Sequence, residues 1–282
     1  MSEVHWLGHE ACHDTATVGG KAASLSRLAS LHAVPPGFAV PALEAKIDEP
    51  LPARVETSVR SAYALLAERM GEEAPGVAVR SSAIDEDSEG ASFAGQHDTY
   101  LNVIGADAVV AAVARCCGSA RSPAALAYRK QQGLSLEDVR IAVLVQQLVA
   151  SDISAVVFSA NPLTGSLDEV VINASWGLGE SVVGGTVTPD TYIVRKAGLS
   201  VASRQIAEKE RMTVIVPDGT EEVRVPRMMS KEAALSEDQA IEMARLAMKL
   251  EEATGAPVDV ECSIAAEQLF LLQCRPITTL RS

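Results

Sequence analysis

Apolar residues recur along this chain with two spacings that alternate from one segment to the next. A spacing of three to four residues predicts amphipathic helices, whereas short continuous runs rich in Val and Ile predict buried strands. The helical segments are 53–70, 106–117, 123–132 and 236–254. The strand segments are 38–40, 77–80, 141–149, 154–158, 169–173, 191–194, 258–264 and 268–273. This alternation predicts an α/β or α+β protein.

Glycine and capping residues set several of the expected boundaries. A first helix is expected to open at Gly19-Gly20-Lys21, to share one apolar face among Leu25, Leu28 and Leu31, and to end near 34–37. Ser236 and Gln239 have the spacing of a capping box. The residues at 265–267 predict a turn between two antiparallel strands, and the stretch 208–230 reads as a polar connection.

Composition limits the class of protein. With 282 residues, 48% of them apolar and 22% charged, the chain can bury a large core. The net charge of −13 and the lack of a basic patch argue against nucleic acid as a partner. Five cysteines without CxxC spacing, no signal peptide and no apolar run of about 20 residues predict a cytoplasmic protein that does not cross a membrane.

A loop between two predicted strands has the composition of a phosphate-binding site. The segment Val77–Asp87 begins as an apolar strand that ends at Arg80 and continues as a loop of small residues. The segment Ser92–Tyr100 leads into the next strand. A guanidinium beside free backbone N–H groups suits the oxygens of a polyphosphate. His97 lies within this segment, where phosphate binding or proton transfer and a purely structural role are both open.

The two strands nearest the C-terminus carry a second polar group. If they pair around a short turn, Glu261 and Gln273 offer two oxygens to one hard cation, with Arg275 nearby for a phosphate. A surface hairpin with incidental polar residues is the alternative.

Two glycine motifs are incomplete. Lys21 is followed by Ala22, which excludes a Walker loop, and Trp176–Ser181 lacks the third glycine of a dinucleotide fingerprint. We interpret Trp176–Ser181 as a loop that lines one cleft together with the predicted phosphate-binding and cation-binding residues.

Seven motifs in order resemble the ATP-binding domain of the phosphoenolpyruvate synthase, pyruvate phosphate dikinase and rifampin phosphotransferase family. They are Gly19-Gly20-Lys21, Val34–Phe38, Val79–Ala83, Phe93–Gln96, Gln146, Ser175–Glu180 and Leu272–Pro276. The resemblance implies an α+β fold of the ATP-grasp type, with two lobes enclosing a nucleotide cleft. It implies ATP and Mg2+ as cofactors.

The same resemblance implies roles for individual residues. Lys21, Arg80 and Thr99 would contact phosphates, and Arg275 would stabilise the charge of the transferring phosphoryl group. Glu261 and Gln273 would ligate magnesium. The remaining residues of the expected nucleotide site are Gly95, Gln96, Gln146, which would lie at the adenine-side hinge, and Leu148. The expected catalytic group is Lys21, Arg80, Arg275 and His97.

The chain departs from the multidomain pattern of that family. We expect one ATP-grasp module over 1–282, with lobes 1–145 and 146–282, no swivelling histidine domain and no phosphoenolpyruvate-binding barrel. None of the histidines stands in a swivelling-domain context: His5, His9, His13, His32 and His97.

Three functions follow from these expectations. The first is phosphoryl transfer from Mg-ATP to a small-molecule hydroxyl, with a cationic aminoglycoside-type antibiotic as an acceptor suited to the acidic chain. His97 or the acids at 85–87 would then act as the base. The second is the ATP-binding subunit of a split dikinase, which phosphorylates a histidine on a separate protein. The third is an ATP sensor without turnover.

Overall fold

The computed structural model describes residues 4–47, 49–84 and 98–277. The chain divides into two compact units, one formed by Met1–Leu148 with Pro217–Gly219 and the other by Val149–Val216 with Thr220–Ser282. Both units combine helices with antiparallel sheet, which confirms the α+β class. No helix in these described ranges is long and apolar enough to cross a membrane.

The first unit is built on a five-stranded sheet with the order β1-β2-β5-β3-β4. Its strands are β1 (His5–Trp6), β2 (Gly37–Glu44), β3 (Val77–Ala83), β4 (Thr99–Val103) and β5 (Arg140–Gln147). Its helices are α1 (Thr15–Leu28), α2 (Ala53–Met70), α3 (Ala106–Ser119) and α4 (Pro123–Gln131), with a 3-10 turn at Glu10–Cys12. Every described strand pair in the sheet is antiparallel.

Strand alternation gives this sheet two different faces. Val77 and Val79 of β3 belong to an apolar core that also contains buried side chains of α2 and α3. The alternate residues Ala78, Arg80 and Ser82 face the other way, where α1 packs on β2, β3 and β5. The prediction for α1 was wrong at its end, because the helix stops at Leu28 and Leu31 is 73% exposed.

The second unit is built on a six-stranded sheet with the order β13-β12-β6-β7-β8-β9. Its strands are β6 (Ile153–Phe158), β7 (Glu169–Trp176), β8 (Asp190–Arg195), β9 (Ser200–Gln205), β12 (Val258–Ala265) and β13 (Gln268–Pro276). α5 (Glu180–Val183) follows β7, and α6 (Glu237–Thr254) packs on the sheet. Ser236 and Gln239 form the expected capping box at the start of α6, and Gly255 ends the helix in a left-handed conformation.

A hairpin occupies part of the stretch that the sequence presents as a polar connection. β10 (Arg211–Val216) and β11 (Gly219–Arg224) pair as a separate two-stranded sheet. The stretch 208–230 therefore contains two strands that the sequence analysis did not identify. The run Val214-Ile215-Val216 of β10 was a usable strand signal, whereas β11 is mostly polar and gives little such signal.

Candidate functional site

A close contact between α1 and β3 fixes the position of Lys21. Gly19 interrupts the helix with φ of +76°, and a Cβ at this position would lie 1.9 Å from the carbonyl oxygen of Ser82. The buried Ser82 hydroxyl donates to the Val18 carbonyl (2.8 Å) and accepts from the Ala22 N–H (3.1 Å). Glycine is therefore needed for the backbones to approach this closely.

Lys21, Arg80 and Thr99 lie on neighbouring elements of the first unit. The Lys21 ammonium donates to the Ser81 carbonyl at 3.2 Å, which brings it to the strand that carries Arg80. Arg80 is paired directly with Thr99 across β3 and β4, so their side chains share one face of the sheet. Arg80 is half-buried and Thr99 is exposed. The structure thus brings together the three residues expected to contact phosphates.

Two further expected residues of this unit are described, and both donate hydrogen bonds to backbone carbonyls. Gln146 is 2% exposed, and its side-chain amide donates to the Pro35 carbonyl at 2.9 Å. The Leu148 N–H donates to the Gly76 carbonyl at 3.0 Å. Gly95, Gln96, His97 and the acids at 85–87 lie outside the described residues, so their expected roles stay predictions.

The second unit brings together the expected metal and phosphate residues on two adjacent strands. Glu261 of β12 pairs directly with Gln273 of β13, and Asp259 pairs directly with Arg275. Cross-strand partners project from the same face, and residues two apart on one strand do so as well. All four side chains therefore share one face of the sheet, which we call the polar face.

Asp259 is a residue of this group that sequence reasoning missed. Its Oδ2 accepts two hydrogen bonds from Arg275, from Nε at 2.9 Å and from Nη2 at 2.7 Å. Its Oδ1 is buried and has no hydrogen-bond partner among the described residues. Burial raises the pKa of the Asp259 carboxyl, and the positive charge of Arg275 opposes that rise. Its spacing of two residues from Glu261 on a predicted strand was a usable signal.

The next row of the polar face consists of three serines. Ser263 of β12 pairs with Ser154 of β6, which pairs with Ser175 of β7. The hydroxyls of Ser175 and Ser263 are buried without a partner in the described ranges. The Ser154 hydroxyl donates to the Gly177 carbonyl at 2.8 Å. Residues 177–179, which we call the glycine loop, therefore border the polar face one row from Glu261.

The polar face has the ligand types that a magnesium nucleotide requires. Mg2+ in nucleotide sites is commonly held by one or two carboxylates together with phosphate oxygens and water. No group of three or more His, Cys, Asp and Glu side chains arranged to hold a metal occurs within the described ranges. Two carboxylates and an amide beside a guanidinium match the simpler arrangement, in which the nucleotide supplies the remaining oxygens.

The chain matches a known family over most of its length. The model of the pyruvate phosphate dikinase AMP/ATP-binding domain matches residues 42–282. The matched region contains Arg80, Glu261, Gln273 and Arg275, and the N-terminal segment with Lys21 precedes it.

Similar proteins share this region but are much longer. A probable phosphoenolpyruvate synthase of Methanocaldococcus jannaschii is 39% identical over 100% of this chain and 27% of its own length. The phosphoenolpyruvate synthase of Pyrococcus furiosus is 42% identical over 82% of this chain and 29% of its own length. A rifampicin phosphotransferase of Streptomyces is 39% identical over 82% of this chain and 26% of its own length. The chain thus spans between a quarter and a third of these relatives, and it belongs to the pyruvate phosphate dikinase AMP/ATP-binding domain family.

Proposed function

We propose that this chain binds Mg-ATP and takes part in phosphoryl transfer from it. The observation that carries the proposal is the polar face, where the Glu261–Gln273 pair stands directly beside the Asp259–Arg275 ion pair. An oxygen-rich group next to a fixed guanidinium is suited to a metal-bound polyphosphate. Positioning and charge neutralisation supply most of the catalysis in reactions of this class.

The residues of the polar face fit Mg2+. Glu261, Gln273 and the unpartnered Oδ1 of Asp259 are the oxygens that would hold the ion. Bound Mg2+ would neutralise charge on the phosphate oxygens. Arg275 is held in position by Asp259, with its side chain 30% exposed, so its guanidinium can still reach a phosphate. We assign it the stabilisation of the charge on the transferring phosphoryl group.

We propose that Lys21, Arg80 and Thr99 bind phosphates of the same ATP molecule. Two cations and a hydroxyl on neighbouring elements of the first unit support this assignment. Enclosure of ATP between two lobes of an ATP-grasp fold belongs to the same proposal. The Gln146 amide is used in a hydrogen bond to Pro35, so we place Gln146 in the support of the adenine side and not in a direct side-chain contact.

The phosphoryl acceptor is proposed to be a histidine on another protein module. Four of the histidines are described, and all of them lie within the first 32 residues, away from β12 and β13 in the sequence. The relatives named as phosphoenolpyruvate synthases contain more than twice as much sequence outside the matched region as within it. This length of additional chain favours a partner module, in reversal of the order of acceptors expected from sequence alone.

A small-molecule hydroxyl is the second candidate acceptor. The similarity to a rifampicin phosphotransferase supports it, because that protein is named for a small-molecule substrate. An aminoglycoside-type acceptor rests on the net charge of −13 alone, and none of these relatives adds support for it. The proposal does not extend to that class.

The products of the reaction distinguish these functions. The full chain would be incubated with Mg-ATP and either rifampicin or the separately produced remainder of the P. furiosus phosphoenolpyruvate synthase, and followed by phosphorus NMR. AMP plus phosphate with a phosphorylated protein indicates a dikinase, and ADP indicates a kinase. Tight binding without turnover would indicate a sensor and contradict the proposal. Arg275→Ala serves as the inactive control.

A further inference from the structure

A completely buried ion pair lies in the second unit, between β8 and the connection that follows β9, neither of which carries a residue assigned to ATP. The Lys209 ammonium is 2.6 Å from Oδ1 of Asp190, and both side chains are 0% exposed. The ammonium also donates to the Ala207 carbonyl at 3.1 Å. Charged groups are rarely buried to this degree unless they are paired, because an unpaired buried charge is costly. Separating Lys209 from Asp190 is therefore unfavourable, and the contact holds their two chain segments together.

The Asp190 carboxylate joins segments that are distant in sequence. Oδ1 accepts from the Ala207 N–H at 2.9 Å, and Oδ2 accepts from the Ala234 N–H at 2.7 Å. Two residues along β8, the Tyr192 hydroxyl donates to the Leu235 carbonyl and accepts from the Leu235 N–H, both at 3.1 Å. One buried carboxylate and the tyrosine beside it therefore fix both ends of the connection that contains β10 and β11.

That connection in turn holds the glycine loop. β10 begins two residues after Lys209, and its Thr213 carbonyl accepts from the Leu178 N–H at 2.9 Å. A Cβ on Gly177 would lie 2.4 Å from the same carbonyl oxygen. The Trp176 indole adds a hydrogen bond to the Met229 carbonyl at 3.2 Å. The loop is thus packed against β10 with no space for a side chain at Gly177.

The glycine loop connects this arrangement to the polar face. The Gly177 carbonyl accepts from Ser154, and Ser154 lies two residues from Val156, the direct strand partner of Glu261. A shift of β10 would therefore move a loop that borders the row next to the metal-binding residues. The path runs entirely through described contacts of the second unit.

We infer that Asp190 and Lys209 are positioning residues that hold the glycine loop in the conformation required for nucleotide binding. The inference rests on the proposed function, since it concerns affinity for Mg-ATP. Buried ion pairs are weak sources of stability, because desolvation offsets most of their attraction, and apolar replacements of similar volume are often as stable. The Asp190–Lys209 pair contacts three chain segments through hydrogen bonds, so its geometry is suited to positioning.

The test replaces both charges together and separates stability from binding. Asp190→Leu/Lys209→Met removes both charges and leaves the N–H groups of Ala207 and Ala234 without their acceptor, so its Tm should fall. At temperatures where the variant is folded, its Kd for Mg-ATP should rise at least about tenfold through the displaced loop. Isothermal titration calorimetry on the full chain measures the Kd, and differential scanning calorimetry measures Tm. The matched control is Lys196→Met/Glu251→Leu, which removes a less buried ion pair of 2.5 Å in the same unit. Its affinity for Mg-ATP should be unchanged.

Wild-type affinity in the folded double variant would overturn the inference while leaving the proposed function intact. A wild-type chain that fails to bind Mg-ATP would instead overturn the proposed function. If the double variant does not fold, Gly177→Ala decides the question, because it displaces the loop from Thr213 and leaves the ion pair in place. The same loss of affinity is expected in Gly177→Ala, and unchanged affinity would overturn the inference.

Discussion

Asp259 and Arg275 are joined by two hydrogen bonds to a single carboxylate oxygen, with lengths of 2.9 and 2.7 Å. This arrangement fixes the guanidinium plane beside the Glu261–Gln273 pair and leaves the other oxygen of Asp259 unpartnered within the described ranges. The position of Arg275 therefore depends on a residue whose charge is also available to a metal ion.

The first prediction concerns the guanidinium itself. Arg275→Lys retains the positive charge but cannot reproduce the forked geometry, so turnover should fall by about 100-fold or more. Asp259→Asn should also lower turnover, because its amide is a weaker acceptor for Arg275. Steady-state rates with Mg-ATP measure both effects, and circular dichroism checks that the fold is retained. Wild-type rates in Arg275→Lys would remove Arg275 from the mechanism.

The second prediction concerns the effect of pH on metal binding. Burial raises the pKa of Asp259 above its ordinary value of 3.8, so the folded chain keeps this proton to higher pH than the unfolded chain does. The contribution of Asp259 to the free energy of unfolding therefore decreases as pH rises through the raised pKa. Mg2+ requires the ionised carboxylate, so its affinity should increase over that interval.

Calorimetric titration of Mg2+ with a non-hydrolysable ATP analogue, repeated upward from pH 4, measures this dependence. Asp259→Asn removes the titrating group and should flatten the part of the profile due to Asp259. A profile that is identical in the wild type and in Asp259→Asn would show that Asp259 does not take part in metal binding.

The third prediction concerns the approach of α1 to β3. Gly19→Ala combines an unfavourable φ of +76° with a methyl group 1.9 Å from the Ser82 oxygen, and should cost at least about 3 kcal/mol in the free energy of unfolding. Gly71→Ala is the matched control, with φ of +68° and no atom within 4 Å of the added Cβ. It should cost about 1–2 kcal/mol from backbone strain alone. Urea denaturation measures both, and equal costs would contradict the close contact that positions Lys21.

The hairpin that carries the polar face could be predicted from sequence because local signals determine it. Two strongly apolar segments separated by a short turn specify an antiparallel hairpin, and the turn length then fixes which residues are opposite each other. The observed turn is one residue shorter than expected, at Ala266 and Glu267 with φ of +47° and +65°, and an unbroken ladder from it would place Glu261 opposite Leu272. A register shift between Glu261 and Cys262 places Glu261 opposite Gln273 instead, and the sequence pattern gives no sign of that shift. The contribution of Asp259 required only the period of two residues along the same strand.

Other features depend on contacts that leave no periodic signal. Asp190 lies on β8 and Lys209 lies 19 residues later in the connection between β9 and β10. Nothing in their surrounding sequence distinguishes a buried ion pair from two exposed charges. β10 ends in the apolar run Val214-Ile215-Val216, whereas β11 is mostly polar, so only one strand of this hairpin has a hydrophobic signal. Leu31 has helical spacing from Leu28, but the chain has already left the helix, and spacing alone cannot locate that end.

The most direct test of the account is the dependence of ATP binding on Mg2+ in the wild type and in Glu261→Gln. Calorimetry on the full chain should show tighter ATP binding when Mg2+ is present, and Glu261→Gln should lose most of that gain because it removes a negative charge from the metal ligands. Its circular dichroism spectrum and Tm should remain close to those of the wild type. An equal gain from Mg2+ in both proteins, or no binding of Mg-ATP by the wild type, would contradict the assignment of the polar face.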